Sequence, residues 1–139
     1  MTLTIVDSTI LIDASRSRPT ALRFLSSAAE SGAVASSVLV RTELWVGSKP
    51  DEVERIADLF DEIEWYEVTL SIADLAGRLG APYRRSHHID SVDLILAATA
   101  IELGGTTRIR ETGLLRRRAN TKAYEDSLPI MRIGSVSSV

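Results

Sequence analysis

The sequence predicts an α/β fold: helices sandwiched around a short parallel sheet. Three observations carry this prediction. Short apolar runs alternate with amphipathic stretches of helical period from Thr4 to Leu103. The segment DLILAATAIEL (93–103) is apolar on nearly every side, as a central buried helix must be. A carboxylate, Asp7, ends the first apolar run just before a helix start. No repeat or low-complexity linker divides the chain, so 1–139 reads as one domain with GSVSSV (134–139) as a frayed tail.

The elements follow in order. Residues 3–6 read as a strand and 8–14 as a short helix. PTALRFLSSAAESG (19–32) opens on a proline at the first helical position. It places Leu22, Leu25, Ala28 and Ala29 at helical spacing and stops at Gly32. Ala33–Ala35 make a second strand, and Ser36 or Ser37 caps a helix that runs to Val46 and closes at Gly47. Residues 50–63 turn Val53, Ile56, Ala57, Phe60 and Ile63 one way and their acids the other. Residues 64–68 read as a strand and 70–80 as a helix with Ile72, Leu75, Ala76 and Leu79 on one face. Asp90 or Ser91 starts the buried helix, which ends at Gly104-Gly105; LPIMRI (128–133) reads as a last strand.

Composition narrows the chemistry. With 45% apolar and 25% charged residues, the chain is of ordinary globular type. No run is long and apolar enough for a membrane span, and no signal peptide is recognisable, so the cytoplasm is the expected compartment. The absence of cysteine excludes disulfides, thiolate metal sites and a cysteine nucleophile, and His87-His88 are the only histidines. Any catalysis therefore rests on carboxylates. Net charge is −3, which argues against a generally basic nucleic-acid binder. Charge is uneven, however. The acids of 51–64 read as a solvated face, whereas residues 108–122 hold six bases against one acid. That basic run reads equally as a solvated face or as a phosphate-contacting surface. His87-His88 read as a loop pair, Trp45 and Trp65 as core or interface residues, and Arg84-Arg85 and Arg116–Arg118 as exposed bases able to meet phosphate.

Three acids stand in apolar settings where a charge is unfavourable: Asp7 after the first strand, Glu43 within SSVLVRTELWVG, and Asp93 at the start of the buried helix with Asp90 three residues earlier. Each has a plain reading, as a helix cap or a surface acid paired with a base such as Arg41. Each also has a sharper one. Parallel α/β sheets place strand ends and helix starts on one rim, where sites form. Carboxylates gathered there stay ionised only around a divalent cation, and an oxygen-only donor set favours magnesium or manganese over zinc.

IVDSTILID, RTELWVG and DLILAATAIELG, in this order and spacing, resemble the three signature blocks of PIN-domain ribonucleases, and more narrowly the VapC-type toxins of bacterial toxin–antitoxin pairs. The resemblance covers roughly residues 3–104. It implies a three-layer α/β/α PIN-like domain with a short parallel central sheet. It implies endonucleolytic cleavage of RNA with Mg2+ or Mn2+ held by Asp7, Glu43 and Asp93, and Thr9 supporting the first aspartate. It also implies a VapB-like antitoxin partner, docked on early helices where residues 38–60 offer an apolar patch, and a homodimer. Asp90 has no counterpart in the family pattern and is expected to act as an outer ligand or, preferably, the cap of its helix. The family follows the buried helix with an apolar strand and a further acid. Here GGTTRIRETGLLRRR stands in that place, and Glu111 is nearest to the fourth acid position.

Two other α/β classes that place an acid after the first strand fit less well. Haloacid-dehalogenase-type phosphatases need a second aspartate where this chain has Thr9, and receiver domains need an acidic pair and a late lysine in a different pattern. The remaining alternative is a degenerate PIN-like binding module with little or no nuclease activity, suggested by the divergent last third.

Overall fold

Parallel strands must be joined by crossovers, and the chain supplies helices for each. A computed structural model describes residues 2–84 and 89–103. In it β1 (Thr2–Ile5), β2 (Gly32–Ser37) and β3 (Glu64–Tyr66) form a parallel sheet in the order β1-β2-β3. Ile5 pairs with Ala35 and Ser36 with Trp65. Helices α1 (Ser8–Ser15) and α2 (Pro19–Ser31) cross from β1 to β2, and α3 (Val38–Gly47) and α4 (Val53–Asp61) from β2 to β3. Then come α5 (Leu70–Gly80) and α6 (Ser91–Glu102).

Residues Val34–Ser37 of β2 are buried in succession, the pattern of a parallel strand covered on both faces. The main core joins Ile5, Val6, Leu11, Val34, Val40, Leu44, Ile56, Phe60, Leu96 and Ala100. A smaller core joins Ile72 and Ala76 of α5 to Ile95 and Ala98 of α6, with Leu39 of α3 packed on it. Helix α6 thus serves both cores, which is why it carries no polar stripe: Leu96 and Ala100 face one, Ile95 and Ala98 the other.

Polar side chains fix four of the helix starts. Asp7, Ser37, Thr69 and Asp90 accept hydrogen bonds from the backbone N–H of Ile10, Leu39, Ile72 and Val92 respectively. The expected second strand is longer at both ends than Ala33–Ala35. The predicted helix over 50–63 is a 3-10 turn at Pro50–Glu52 followed by α4, because the Glu52 side chain turns back to Lys49 N–H at 3.0 Å. The third strand ends at Tyr66 rather than residue 68; Val68 leaves the ladder to pack on the smaller core ahead of the Thr69 cap. Helix α6 begins at Ser91, two residues before Asp93. The expected strand 128–133, the tail 134–139, Glu111, the basic run 108–122, Arg85 and His87-His88 lie outside the described residues.

Candidate active site

Asp7 is built into the carboxyl end of β1. Thr4, Ile5 and Val6 are buried before it, and Asp7 itself is only 9% exposed. The Val6 N–H donates to the Ala35 carbonyl at 3.0 Å, and the Val6 carbonyl accepts from the Ser36 hydroxyl at 2.7 Å. The chain stays extended through Asp7 (φ −94°, ψ 177°), then enters α1, whose Ile10 N–H donates to Asp7 Oδ1 at 3.2 Å. Helix capping is therefore part of what Asp7 does, and the N-terminal end of the α1 dipole favours its negative charge. Thr9 sits half-buried in the same first turn.

Glu43 lies on α3, which leaves the carboxyl end of β2. Val40 and Leu44 seat that helix in the main core. Leu39, one turn before Glu43, packs on the α5/α6 core, so Glu43 shares the side of α3 turned toward those helices. Arg41 lies on another side of α3: its guanidinium stands over the rings of Phe60 (4.4 Å) and Trp65 (5.2 Å). Phe60 also meets Trp45 and Trp65 edge-on, with centroids 5.0 and 4.9 Å apart. Trp65 is thus part of the core, its indole N–H donating to the Phe60 carbonyl, while Trp45 is partly exposed.

Asp90 caps α6 through Oδ1 and Val92 N–H at 2.8 Å. Asp93 follows in the first turn, half-buried, with Ala97 and Ala100 buried beneath it at helical spacing. Its neighbour Val92 packs on the cluster that contains Ile5 and Val6, the residues leading into Asp7.

Asp7, Glu43 and Asp93 are thus delivered by three elements that share one core. Among the described residues no group of three or more His, Asp or Glu stands close enough together to hold a metal ion. The structure therefore does not gather Asp7, Glu43 and Asp93 into the expected three-acid cluster; what suits a hard divalent cation is the donor type, carboxylate oxygens, with Asp7 fixed at a buried strand end.

Two polar residues of this region had no distinct sequence signal. Ser36 is fully buried and bonded to the residue before Asp7, yet in sequence it is indistinguishable from Ser37, which takes the capping role. Glu52, one of many acids in 51–64, is buried rather than solvated and bridges Arg16 Nε at 3.0 Å. The Lys49 backbone N–H and then the Arg16 side chain hold its pKa below the usual 4.5. The acids of α4 itself, Glu54, Asp58 and Asp61, are exposed as expected. At the end of β3, desolvation and then hydrogen bonding to Glu64 raise the Tyr66 pKa above 10.0, so its hydroxyl stays protonated at neutral pH.

The family model for the PIN domain matches residues 4–118. The chain belongs to the PIN-domain family, on its VapC-type ribonuclease branch. Ribonuclease VapC19 from two strains of Mycobacterium tuberculosis is 39% identical over 111 residues, covering 76% of this chain and 89% of the relative. The crystal structure of VapBC2 from Rickettsia felis bound to a DNA fragment from their promoter is similar in fold, with a TM-score of 0.69 at 20% identity over 83% of this chain and 92% of that one. A toxin–antitoxin complex from Klebsiella pneumoniae gives a TM-score of 0.63 at 24% identity over 78% and 87%. The expected three-layer α/β/α architecture is the one these structures share.

Proposed function

We propose that this chain is the toxin of a toxin–antitoxin pair, an endoribonuclease that hydrolyses RNA phosphodiesters at a Mg2+ or Mn2+ site held by Asp7, Glu43 and Asp93, with Glu111 as a fourth acid. The observation that carries the reading is Asp7, a carboxylate held at a buried strand end between a parallel sheet and a helix start. The similarity to a protein named as a ribonuclease supports the substrate class. When bound, a divalent ion lowers the pKa of water and neutralises charge on a scissile phosphate. The chain's own part is to hold the acids. The Ile10 N–H fixes Asp7 Oδ1, the Asp90 cap sets where α6 begins and so where Asp93 stands, and Val40 and Leu44 anchor the helix that carries Glu43.

An antitoxin is the partner this reading requires, and the similarity to a solved toxin–antitoxin complex supports it. Trp45, Val46 and Val53 leave apolar surface exposed on α3 and α4, within the 38–60 stretch expected to receive it. No helix among the described residues is long and apolar enough to cross a membrane. We place the toxin in the cytoplasm, where RNA is found, as a homodimer of single-domain chains. The test is cleavage of structured RNA by the purified chain. Cleavage is expected only with Mg2+ or Mn2+ added, and Asp7→Asn or Asp93→Asn is expected to abolish it. Cleavage in EDTA, or full activity in both variants, sinks the mechanism.

A further inference from the structure

We infer that Ser36 is a positioning residue for Asp7, its buried hydroxyl clamping the peptide unit from which the Asp7 carboxylate projects. The inference rests on the reading of Asp7 as a metal ligand. Ser36 is 0% exposed and Val6 is 1% exposed, so neither end of their 2.7 Å hydrogen bond is open to water. The bond joins residues thirty positions apart, at the point where β1 leaves the sheet. It closes no helix and caps none; Ser37 does the capping. The Val6 carbonyl and the Asp7 N–H belong to one rigid peptide plane. The same Val6 residue is held on its other side by its N–H bond to Ala35. Two adjacent residues of β2 therefore grip both polar groups of Val6 and fix where the Cα of Asp7 stands. The Ile10 N–H then fixes one carboxylate oxygen. A ligand must be held to within about half an ångström of its working position. Groups hydrogen-bonded to a ligating side chain commonly alter metal affinity about 10- to 100-fold; Ser36 acts one residue further back, on the Val6 carbonyl, so its effect belongs at the low end of that range.

A structural role alone, the satisfaction of a buried carbonyl, would lower stability without selectively weakening metal binding. The readout is therefore Mn2+ affinity, measured by calorimetry on the purified full chain without RNA. Ser36→Ala is expected to weaken Mn2+ binding on the order of 10-fold, and Ser36→Thr, which keeps the hydroxyl, to bind within about 3-fold of the parent. Ser15→Ala is the control. It removes a hydroxyl bond of the same length, part-buried, from Ser15 to the Ile12 carbonyl at 2.7 Å near the far end of α1 from Asp7, and is expected to leave Mn2+ affinity unchanged. If Ser36→Ala does not fold, Ser36→Val against Ser36→Thr makes the same comparison with shape held constant. Ser36→Ala or Ser36→Val binding Mn2+ as tightly as the parent overturns the inference, as does an equal loss in Ser15→Ala. If the parent binds no Mn2+, or Asp7→Asn binds it undiminished, the metal-site reading itself fails and the inference falls with it.

Discussion

At Asp7 one carboxylate caps α1 and, in the function proposed, ligates a metal; changing it to the amide separates the two roles. Asparagine caps helices about as well as aspartate and gives up only the favourable placement of the charge at the helix start, so Asp7→Asn is expected to lose no more than about 0.5 kcal/mol in EDTA. Asp7→Ala loses the bond from Ile10 N–H and is expected to cost about 1 kcal/mol. Both variants are expected to lose RNA cleavage. Thermal melts beside a gel-based cleavage assay measure the two effects independently, and equal melting of the two variants would dismiss the capping role. Glu52 is a different kind of acid, one whose effect is on stability and pH. Its pKa is lowered in the folded chain by Lys49 N–H and Arg16, so its contribution is fully present above the usual value of 4.5 and fades as pH falls through the lower folded value. Glu52→Gln is therefore expected to be less stable than the parent at pH 7, with the gap narrowing below about pH 4.5. Urea unfolding of both proteins at pH 7 and pH 3.5 checks the sign; a gap that widens at low pH contradicts it.

Where α5 meets α6, two glycines of the same helix make opposite demands. A Cβ on Gly80 would stand 2.6 Å from Leu94 Cδ1, whereas one on Gly77 would meet nothing within 4 Å. Gly77→Ala is expected to stabilise the chain by about 0.5–1 kcal/mol through helix propensity and a less flexible unfolded state. Gly80→Ala must displace Leu94, the residue after Asp93, and is expected to destabilise by about 1 kcal/mol despite the same propensity gain. Denaturant midpoints decide the matter, and two shifts of the same sign would show that Leu94 simply moves aside. This scale is also where the sequence was most legible. Asp90 and Pro19 mark helix starts by side-chain chemistry, and the nearly continuous apolar run after Asp93 marks α6 as a central, buried helix. Glu52 was not legible, because nothing in a run of acids says which one turns back to bury itself. Nor was Ser36, since two adjacent serines offer the same donor and only the register of β1 against β2 assigns their roles. The relative placement of Asp7, Glu43 and Asp93 depends on how α3 and α6 pack. Separation along a chain does not encode that distance.

For the molecule as a whole, the proposed role demands that two surfaces act independently: acids that cut RNA, and an apolar face that an antitoxin covers. Val46 is 83% exposed, with Trp45 and Val53 also partly bare, and in the function proposed this is the face the antitoxin covers. Val53 opens α4, and an acid in the first turn of a helix is favoured by its dipole. Val53→Asp is therefore expected to break the apolar face without unfolding the domain. Produced alone in a bacterial host, the parent chain is expected to slow growth, and Asp7→Asn is expected not to. Co-production of an antitoxin encoded beside the gene should restore growth to the parent. The Val53→Asp chain should remain toxic in its presence, while cleaving RNA in vitro at the parent rate. Growth curves with and without the antitoxin, read beside in vitro cleavage, separate the two surfaces. If the parent chain leaves growth untouched while the 39%-identical ribonuclease slows it under the same promoter, the toxin reading fails for this chain. If Val53→Asp is neutralised as readily as the parent, the antitoxin lies elsewhere on the fold.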